Sequence, residues 1–344
     1  MSRGWRKLCV RLDGRSDPEM SKATLDPTPT NADSVQLRHD PVSFWGQIGA
    51  DGDRCPQVEV LQLRNKSAVY RLIGAGPNSE PVIAKRCRRR IARLEQFIYQ
   101  EFLPPLAVSS LRCYGRVEEA KTEFDWLFLE QAGGTEYSPL NAQHRALTGR
   151  WLGTIHSAAV KHSLAARLPA RGPDHYLKLL RLTRDQLCEH EVNPRWRRAA
   201  AFLLRSLVTQ CDSIEARWSQ VEEYCVPAPR GLVHGDFAVK NLRVQDTDAG
   251  PALLAYDWEN AGWGVPAGDL ASCSGQEADP NLAAYRASLG PNGAAVSIAV
   301  LKKLVACGRI FRMLDCICWA ARAPAISCLT VYEPWVAEAL RTFR

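Results

Sequence analysis

The strongest constraint on the fold is a polar motif followed by a predicted β-hairpin, in residues 232–270. The motif HGDFAVKN begins at His234, after a short apolar segment, and includes Asp236, Lys240 and Asn241. After it, the short segments NLRVQ and ALLAYD flank DTDAGP, which is rich in turn-forming residues. This pattern predicts two strands joined by a turn. The end of the motif is therefore expected at the open end of a hairpin.

The pairing of the two strands predicts which polar side chains come together. If Gln245 pairs with Ala252 across the turn, Asn241 lies opposite Tyr256, directly before Asp257. Neighbouring strands are about 5 Å apart. We therefore expect Asn241 and Asp257 to emerge together, with the acid of the HGD triplet on the loop that enters the hairpin.

The chemistry of these groups indicates a metal site beside a proton acceptor. Two carboxylates and a carboxamide repel one another unless a cation lies between them, and an all-oxygen set suits Mg²⁺. The spacing His-x-Asp-x-x-x-x-Asn is also that of a kinase catalytic loop, in which the Asp accepts the acceptor's hydroxyl proton. There the Asn and a later Asp bind the metal. We therefore expect Asp236 to be catalytic, and Asn241 and Asp257 to be metal ligands.

The motif HGDFAVKN followed by DWENAGWGVPAGDLA resembles the aminoglycoside phosphotransferase and choline kinase-like family, over roughly residues 45–344. The resemblance implies an α+β, two-lobed protein-kinase-like fold with a small antiparallel β-rich N-lobe and a larger α-rich C-lobe. It also implies a small-molecule kinase that uses Mg²⁺ and moves the γ-phosphoryl group of ATP, or of GTP, to a hydroxyl group. We expect a flexible arm at 1–40, the N-lobe at 41–132 and the C-lobe at 133–344.

The pattern before residue 132 agrees with a β-rich N-lobe. Alternating apolar residues predict strands in VEVLQL, AVYRLI, PVIAKRC, LRCYGRV and WLFLEQ. One helix is predicted in RRRIARLEQFIYQEFLPPL, where apolar residues recur at helical spacing until Pro104 ends it. The basic run from Arg86 to Arg93 is expected to be a solvated helix start rather than a substrate site. Beyond residue 140 the periodicity is helical.

The resemblance also implies nucleotide-binding roles. Lys85, at the end of VIAK, is expected to bind the α- and β-phosphates. Its acidic partner is Glu101 or Glu95 on the next helix, and Glu101 is preferred because it lies a turn before an apolar pair. Ser67 and Asn65, in a turn without glycine, are expected to contact phosphate. Main-chain groups of residues 130–132, from Glu130 to Ala132, are expected to contact the adenine edge. Lys240 is expected to be either a γ-phosphate ligand or a solvated lysine.

Other residues are expected to support the site from the core. Asp269 is predicted to be a structural acid that holds the catalytic loop. His156, in LGTIHSAAV, is expected to be a buried histidine rather than a ligand. Trp258, Trp263 and Trp319 are expected mostly in the core, with stacking on a sugar or a choline-like group as the alternative.

The charge distribution favours a neutral or anionic acceptor. The formal net charge is +7, and residues 260–344 contain more Lys and Arg than Asp and Glu. Aminoglycosides are polycations whose pockets tend to be acidic, so the sequence favours another small metabolite without excluding them. Two alternatives stay open: a protein kinase, which GVPAGDLA argues against, and a nucleotide-binding protein without transfer activity.

The remaining expectations concern partners and location. Twelve scattered cysteines without CxxC spacing predict free thiols. No apolar run is long enough to suggest a membrane span, and the N-terminus lacks the apolar segment of a secretory signal, so no membrane partner is expected and the expected location is cytoplasmic. The basic residues are spread out except in KRCRRRIAR, so no nucleic-acid partner is expected. Oligomeric state stays open. Met20 is a candidate translation start.

Overall fold

The structure is a computed structural model that describes residues 39–48, 56–64, 66–106, 108–158, 162–272, 281–291, 293, 296–322 and 326–343. The candidate start at Met20, residue Asn65 and nearly all of the predicted arm lie outside these residues. The chain divides into two compact units. The first runs through Ala92 and includes Cys113–Gln131, and the second comprises Arg93–Arg112 and the chain from Ala132 onward. The lobe boundary at 132/133 stays a prediction.

The first unit is built on one antiparallel sheet in the order β1-β2-β3-β5-β4. Helix α1 (Pro41–Gly46) precedes the strands, which are β1 (Gln57–Arg64), β2 (Ser67–Ile73), β3 (Val82–Arg88), β4 (Cys113–Glu118) and β5 (Phe124–Glu130). Buried and half-buried residues alternate along β2 and most of β3, as a pleated strand with one face in a core requires. The core gathers Tyr70, Ala84, Trp126 and Phe128 with Trp45 of α1.

An ion-pair network, which we call the Asp125 cluster, joins side chains from the ends of β3, β4 and β5. It comprises Arg86, Arg89, Arg116, Glu119 and Asp125. Arg86 is buried and donates to Glu119 from Nε at 2.6 Å and from Nη2 at 3.0 Å. Asp125 is fully buried and accepts from Nε of Arg89 at 2.9 Å and from Nη1 of Arg116. The predicted solvated helix start is therefore wrong for Arg86, because its charge is paired inside the unit.

Helix α2 (Arg89–Phe97) ends earlier than predicted. The chain continues as a π-helical turn over Ile98–Phe102 and then as a 3₁₀ turn over Pro104–Leu106. A π turn closes its hydrogen bonds over one residue more than an α-helix. The residues after Phe97 therefore lose the helical phase on which a spacing argument depends.

The second unit is mainly helical. Its helices are α3 (Ala142–Ser157), α4 (His162–Ala165), α5 (Pro173–Val192), α6 (Pro194–Glu215), α7 (Trp218–Cys225), α8 (Ala267–Ser272), α9 (Leu282–Ser288), α10 (Ile298–Arg322) and α11 (Ile326–Thr342). Short strands form two small sheets, one of β6 (Thr135–Glu136), β9 (Leu242–Thr247) and β10 (Gly250–Ala255), the other of β7 (Ala170–Arg171), β8 (Gly231–Val233) and β11 (Gly262–Gly264). The predicted α+β class is confirmed. Within the described chain, no helix has the length and apolar character needed to cross a membrane.

Helix α10 approaches α8 very closely at Gly308. A Cβ atom on Gly308 would lie 1.9 Å from the carbonyl oxygen of Ala267, so this approach requires glycine. Arg312 follows Gly308 by about one helical turn, and Asp269 lies on α8 just after Ala267. The contact therefore fixes the position of both Arg312 and Asp269.

Candidate active site

The hairpin of β9 and β10 has the predicted register. Gln245 pairs with Ala252, and Leu242 pairs with Ala255. At the open end, the main-chain N–H of Tyr256 donates to the carbonyl oxygen of Asn241 at 3.1 Å. Asp257 follows in the left-handed region, with φ +69°, which turns the chain out of the strand. Asn241 and Asp257 thus leave adjacent strands at the same end of the hairpin.

Asp269 holds the loop that carries the HGD triplet. Its Oδ2 accepts the main-chain N–H of His234 at 2.7 Å, and its Oδ1 accepts that of Gly235 at 3.0 Å. Nε2 of His156 lies 3.2 Å from Oδ2, and Nδ1 of His156 lies 3.2 Å from the hydroxyl of Tyr285. Burial raises the pKa of Asp269, but the His156 hydrogen bond and the other donors outweigh burial and keep it below the usual value. The structure confirms Asp269 as a structural acid and His156 as a buried histidine.

The backbone of the triplet depends on a glycine. Gly235 has φ +77°, and a Cβ atom there would lie 2.2 Å from the carbonyl oxygen of Asn260. His234 is buried, its Nδ1 accepts from the main-chain N–H of Asp236 at 3.3 Å, and its Nε2 lies 3.1 Å from the carbonyl oxygen of Tyr256. Burial lowers the pKa of His234, so a neutral imidazole bridges the loop to the end of β10.

Asp236 is held from three sides and stays partly open. Its Oδ1 accepts from Nη2 of Arg312 at 2.9 Å. Its Oδ2 accepts from Nδ2 of Asn241 at 3.2 Å and lies 3.5 Å from Nζ of Lys240. Burial raises its pKa, but the positive charges of Arg312 and Lys240 prevail and lower it. Asp236 is therefore an ionised carboxylate with 17% of its side chain exposed.

Arg312 is the residue of this site that the sequence did not indicate. Besides its bond to Asp236, its Nη1 donates to the carbonyl oxygen of Gly235 at 2.9 Å. The available signal was a charged residue within the apolar run IFRMLD of α10. That signal gives no partner, because Arg312 lies 76 residues from Asp236 along the chain.

The donor chemistry at the open end of the hairpin fits a hard metal ion. Nδ2 of Asn241 donates to the carbonyl oxygen of Asp236 at 2.9 Å as well as to its carboxylate, so the carboxamide oxygen Oδ1 points away from Asp236. That oxygen and the carboxylate of Asp257 are the ligand types that Mg²⁺ prefers. Across the described residues, no three His, Cys, Asp or Glu side chains form a metal cluster. The two assignments as metal ligands stay predictions.

The predicted nucleotide-binding residues occupy both units. Lys85 lies in the middle of β3, where it pairs with Val69 of β2 and Leu127 of β5, and it is half-buried. Ser67 begins β2, Glu130 ends β5, and Ala132 is the first residue of the second unit after β5. Their roles stay predictions.

Glu101 and Glu95 have different surroundings. Glu101 lies in the π-helical turn, is half exposed and accepts two hydrogen bonds from Arg167, one of them from Nη2 at 2.9 Å. The hydrogen bond from Arg167 lowers the pKa of Glu101. Glu95 on α2 is fully buried, and a buried carboxylate requires a compensating partner. Which of the two acids orients Lys85 stays a prediction.

Comparison with solved structures supports the fold. An ethanolamine kinase from Plasmodium vivax is 14% identical with a TM-score of 0.56, over 83% of this chain and 82% of that one. A choline kinase from Cryptosporidium parvum Iowa II is 12% identical with a TM-score of 0.56, over 85% and 90% of the two chains. The gentamicin–APH(2″)-IIa complex is 14% identical with a TM-score of 0.57, over 89% and 99%. Among curated protein sequences, none matches this chain significantly.

The sequence profile described as the phosphotransferase enzyme family matches residues 60–294. That range covers well over half of the chain and contains the HGD triplet, Asn241, Asp257 and Asp269. The chain therefore belongs to the phosphotransferase enzyme family and has the fold of these kinases.

Proposed function

We propose that the enzyme transfers the γ-phosphoryl group of ATP, or of GTP, to a hydroxyl group of a small molecule. The observation that carries this proposal is the carboxylate of Asp236, which the loop holds in place while 17% of its side chain stays exposed. A fixed and accessible carboxylate can accept a hydrogen bond from an acceptor hydroxyl, and then its proton. Both nucleotides are retained because similar structures are described with ADP, GDP or ATP.

Asp236 acts in this proposal mainly by orientation. Its pKa is lowered, so it is ionised at neutral pH and weakly basic. A weak base suffices, because the transition state of phosphoryl transfer is loose and catalysis depends on position and charge. The hydrogen bonds from Arg312 and Asn241 fix the plane of the carboxylate, and with it the direction from which a hydroxyl can approach.

Asn241 and Asp257 are proposed to hold Mg²⁺. They leave neighbouring strands at one end of the hairpin, and the bonds from Nδ2 of Asn241 to Asp236 orient its carboxamide oxygen. When bound, the metal ion neutralises charge on the nucleotide phosphates. Asn241 would thus serve two functions, since one end of its carboxamide positions Asp236 and the other end binds the ion.

The other assignments concern the nucleotide. Lys85 is proposed to bind the α- and β-phosphates, with Glu101 or Glu95 as the acid that orients it. The remaining proposed contacts are Ser67 to phosphate, Lys240 to the γ-phosphate, and main-chain groups from Glu130 to Ala132 to the base.

The test separates binding from transfer. We expect Asp236→Asn to bind ATP–Mg²⁺ like the wild type in a thermal-shift assay, and to lose about 10²–10⁴-fold in turnover. Turnover is measured as phosphate transfer to a panel of hydroxyl metabolites and aminoglycosides, and as the slower transfer to water. Asp257→Ala is expected to lose the Mg²⁺-dependent part of nucleotide binding.

Asp246→Asn is the matched control, because Asp246 is exposed on β9 and loses the same charge. It should bind and turn over like the wild type. Near wild-type turnover by Asp236→Asn would contradict its assigned role. Nucleotide binding by the wild type, without transfer to any acceptor or to water, would instead favour a nucleotide-binding protein without transfer activity.

A further inference from the structure

The charge balance beside Asp236 bears on the class of acceptor. The guanidinium of Arg312 contacts Oδ1 of Asp236 at 2.9 Å, and Nζ of Lys240 lies 3.5 Å from Oδ2. Even if Lys240 turns to the nucleotide phosphates, Arg312 alone balances the charge of the carboxylate. A site that binds a cation next to the reacting hydroxyl needs negative charge that its own residues have not already compensated.

The described acids between residues 260 and 344 are already compensated by other groups. Both oxygens of Asp269 accept main-chain N–H groups. Glu333 accepts from Ser206 and Gln210, and Glu338 accepts from Arg341 on its own helix. Of the acids in residues 260–344, Glu277 and Asp279 lie outside the described residues.

Asp315 lies one helical turn beyond Arg312 and interacts with the positive charges of Arg312 and Arg171. Burial raises the pKa of Asp315, which weakens its negative charge further. The two arginines therefore offset the one described acid of α10 that lies close to Asp236.

One aromatic residue beside the loop, Trp258, is also unavailable to a cation. Trp258 directly follows Asp257, and its ring is fully buried, with its centroid 4.5 Å from that of His234 and 5.9 Å from that of Trp151. Recognition of a quaternary ammonium group requires an open aromatic face. Trp258 presents none, so the core use expected from the sequence is confirmed for this residue.

We infer that the acceptor is a hydroxyl compound without a positive charge beside its reacting hydroxyl, and that Arg312 sets this selectivity. The inference rests on the proposed role of Asp236. The inference predicts that cations such as ethanolamine, choline and gentamicin, which are named in the descriptions of similar structures, are poor acceptors for this enzyme.

The experiment compares hydroxyl compounds that share a carbon frame and differ in charge. The sets are ethanolamine, ethylene glycol and glycolate; choline and 3,3-dimethylbutan-1-ol; and glucosamine, glucose and glucuronate. Each compound is titrated into the enzyme with ATP–Mg²⁺. The readout is the concentration of each compound that gives half of that compound's maximal effect on the rate of nucleotide consumption. The effect is a rise in the rate if the compound is an acceptor, or a fall if it inhibits transfer to water.

For the wild type, the uncharged or anionic member of at least one set should act at a concentration about tenfold or more below that of its cationic member. Arg312→Gln should shrink this ratio and Arg312→Glu should reverse it, whereas Arg312→Lys, which keeps the charge, should preserve it. Lys302→Gln is the control, because Lys302 is exposed on the same helix and its substitution removes the same charge. This variant should keep the wild-type ratio.

Preference for the cationic members, equal behaviour within every set, or a ratio that Arg312→Gln leaves unchanged would overturn the inference. If Arg312→Gln fails to fold, the wild-type ratio decides the class of acceptor, and Arg312→Met, which removes the charge and keeps an unbranched side chain, decides the role of Arg312. Failure of the proposed function looks different, because nucleotide consumption would then not depend on Asp236 at all.

Discussion

The Asp125 cluster of the first unit and the HGD loop of the second each surround an aspartate with cations, and they differ in how completely they enclose it. Asp125 has no exposed side-chain surface and is bound by Arg89 and Arg116. Asp236 keeps 17% of its side chain exposed between Arg312 and Lys240. Full enclosure leaves no direction of approach, so it suits a structural pair. Partial enclosure keeps the carboxylate charged and oriented while a small hydroxyl compound can still reach it.

The two regions also differ in what their acids hold. Side chains of the Asp125 cluster bind mainly other side chains and link strand ends. In the second unit Asp269 binds main-chain N–H groups of His234 and Gly235, and so sets the path of the loop that carries Asp236. Loss of an acid should therefore reduce stability in the first region, and should reduce both stability and turnover in the second.

The largest expected effect is a loss of turnover in Asp269→Asn that Asp125→Asn does not share. An amide at position 269 can accept one of the two main-chain N–H groups but presents a donor to the other, and a displacement of about 1 Å in a catalytic group costs about 10²-fold in rate. We expect at least that loss of turnover, measured as Asp236-dependent nucleotide consumption. Asp125→Asn should lower the free energy of unfolding by up to about 3–5 kcal/mol, the range for breaking a buried ion pair, and leave turnover per folded molecule unchanged.

Urea unfolding measures the stability of both variants, and turnover is corrected for the folded fraction at each temperature. Equal losses of corrected turnover in the two variants would show that the Asp125 cluster contributes to catalysis. Unchanged turnover in Asp269→Asn would contradict the proposal that Asp269 positions the loop.

The features that the sequence predicted correctly are local. The register of the hairpin follows from a short loop of turn-forming residues, which leaves few ways to pair Gln245 and Ala252. The assignment of Asp269 came from a motif whose members lie within one short segment. Alternation of apolar residues located the strands of the first unit, because the period of two is a property of any half-buried strand.

The features that were missed depend on long-range packing. Arg312 reaches Asp236 only because Gly308 lets α10 approach α8, and neither residue carries that information alone. Arg86 looked solvated in a basic run, and its partner Glu119 lies 33 residues further along the chain. The π-helical turn after Phe97 was also missed, because the apolar spacing up to Pro104 is compatible with one continuous helix.

An intermediate effect on stability and turnover is expected from alanine substitutions at two glycines that have the same backbone geometry. Gly74 follows β2 in the first unit with φ +78°, and Gly235 in the HGD loop has φ +77°. An alanine at either position meets the left-handed penalty of about 1–2 kcal/mol. A Cβ atom at Gly74 meets nothing within 4 Å, whereas one at Gly235 would lie 2.2 Å from the carbonyl oxygen of Asn260.

Gly74→Ala should therefore lose only that penalty in urea unfolding and keep wild-type turnover. Gly235→Ala should lose more stability and also turnover, because the clash displaces the residue directly before Asp236. If the two variants lost the same stability and both kept turnover, the close contact between Gly235 and Asn260 would not constrain the loop.

The smallest expected effect concerns acid stability, since the second unit buries neutral histidines and the Asp125 cluster contains none. Burial, with the positive charges of Arg171 and Lys178, lowers the pKa of His175 to about 4. The unfolded chain takes up this proton near a pKa of about 6.5, so below that pH the unfolded state binds more protons and stability falls until about pH 4. Between about pH 7.5 and pH 5 the melting temperature of the wild type should therefore fall more than that of His175→Gln, which lacks the titrating group. Asp125→Asn, unfolded under the same conditions, should keep the wild-type slope over this range despite its lower stability. A slope in His175→Gln equal to that of the wild type would contradict the lowered pKa.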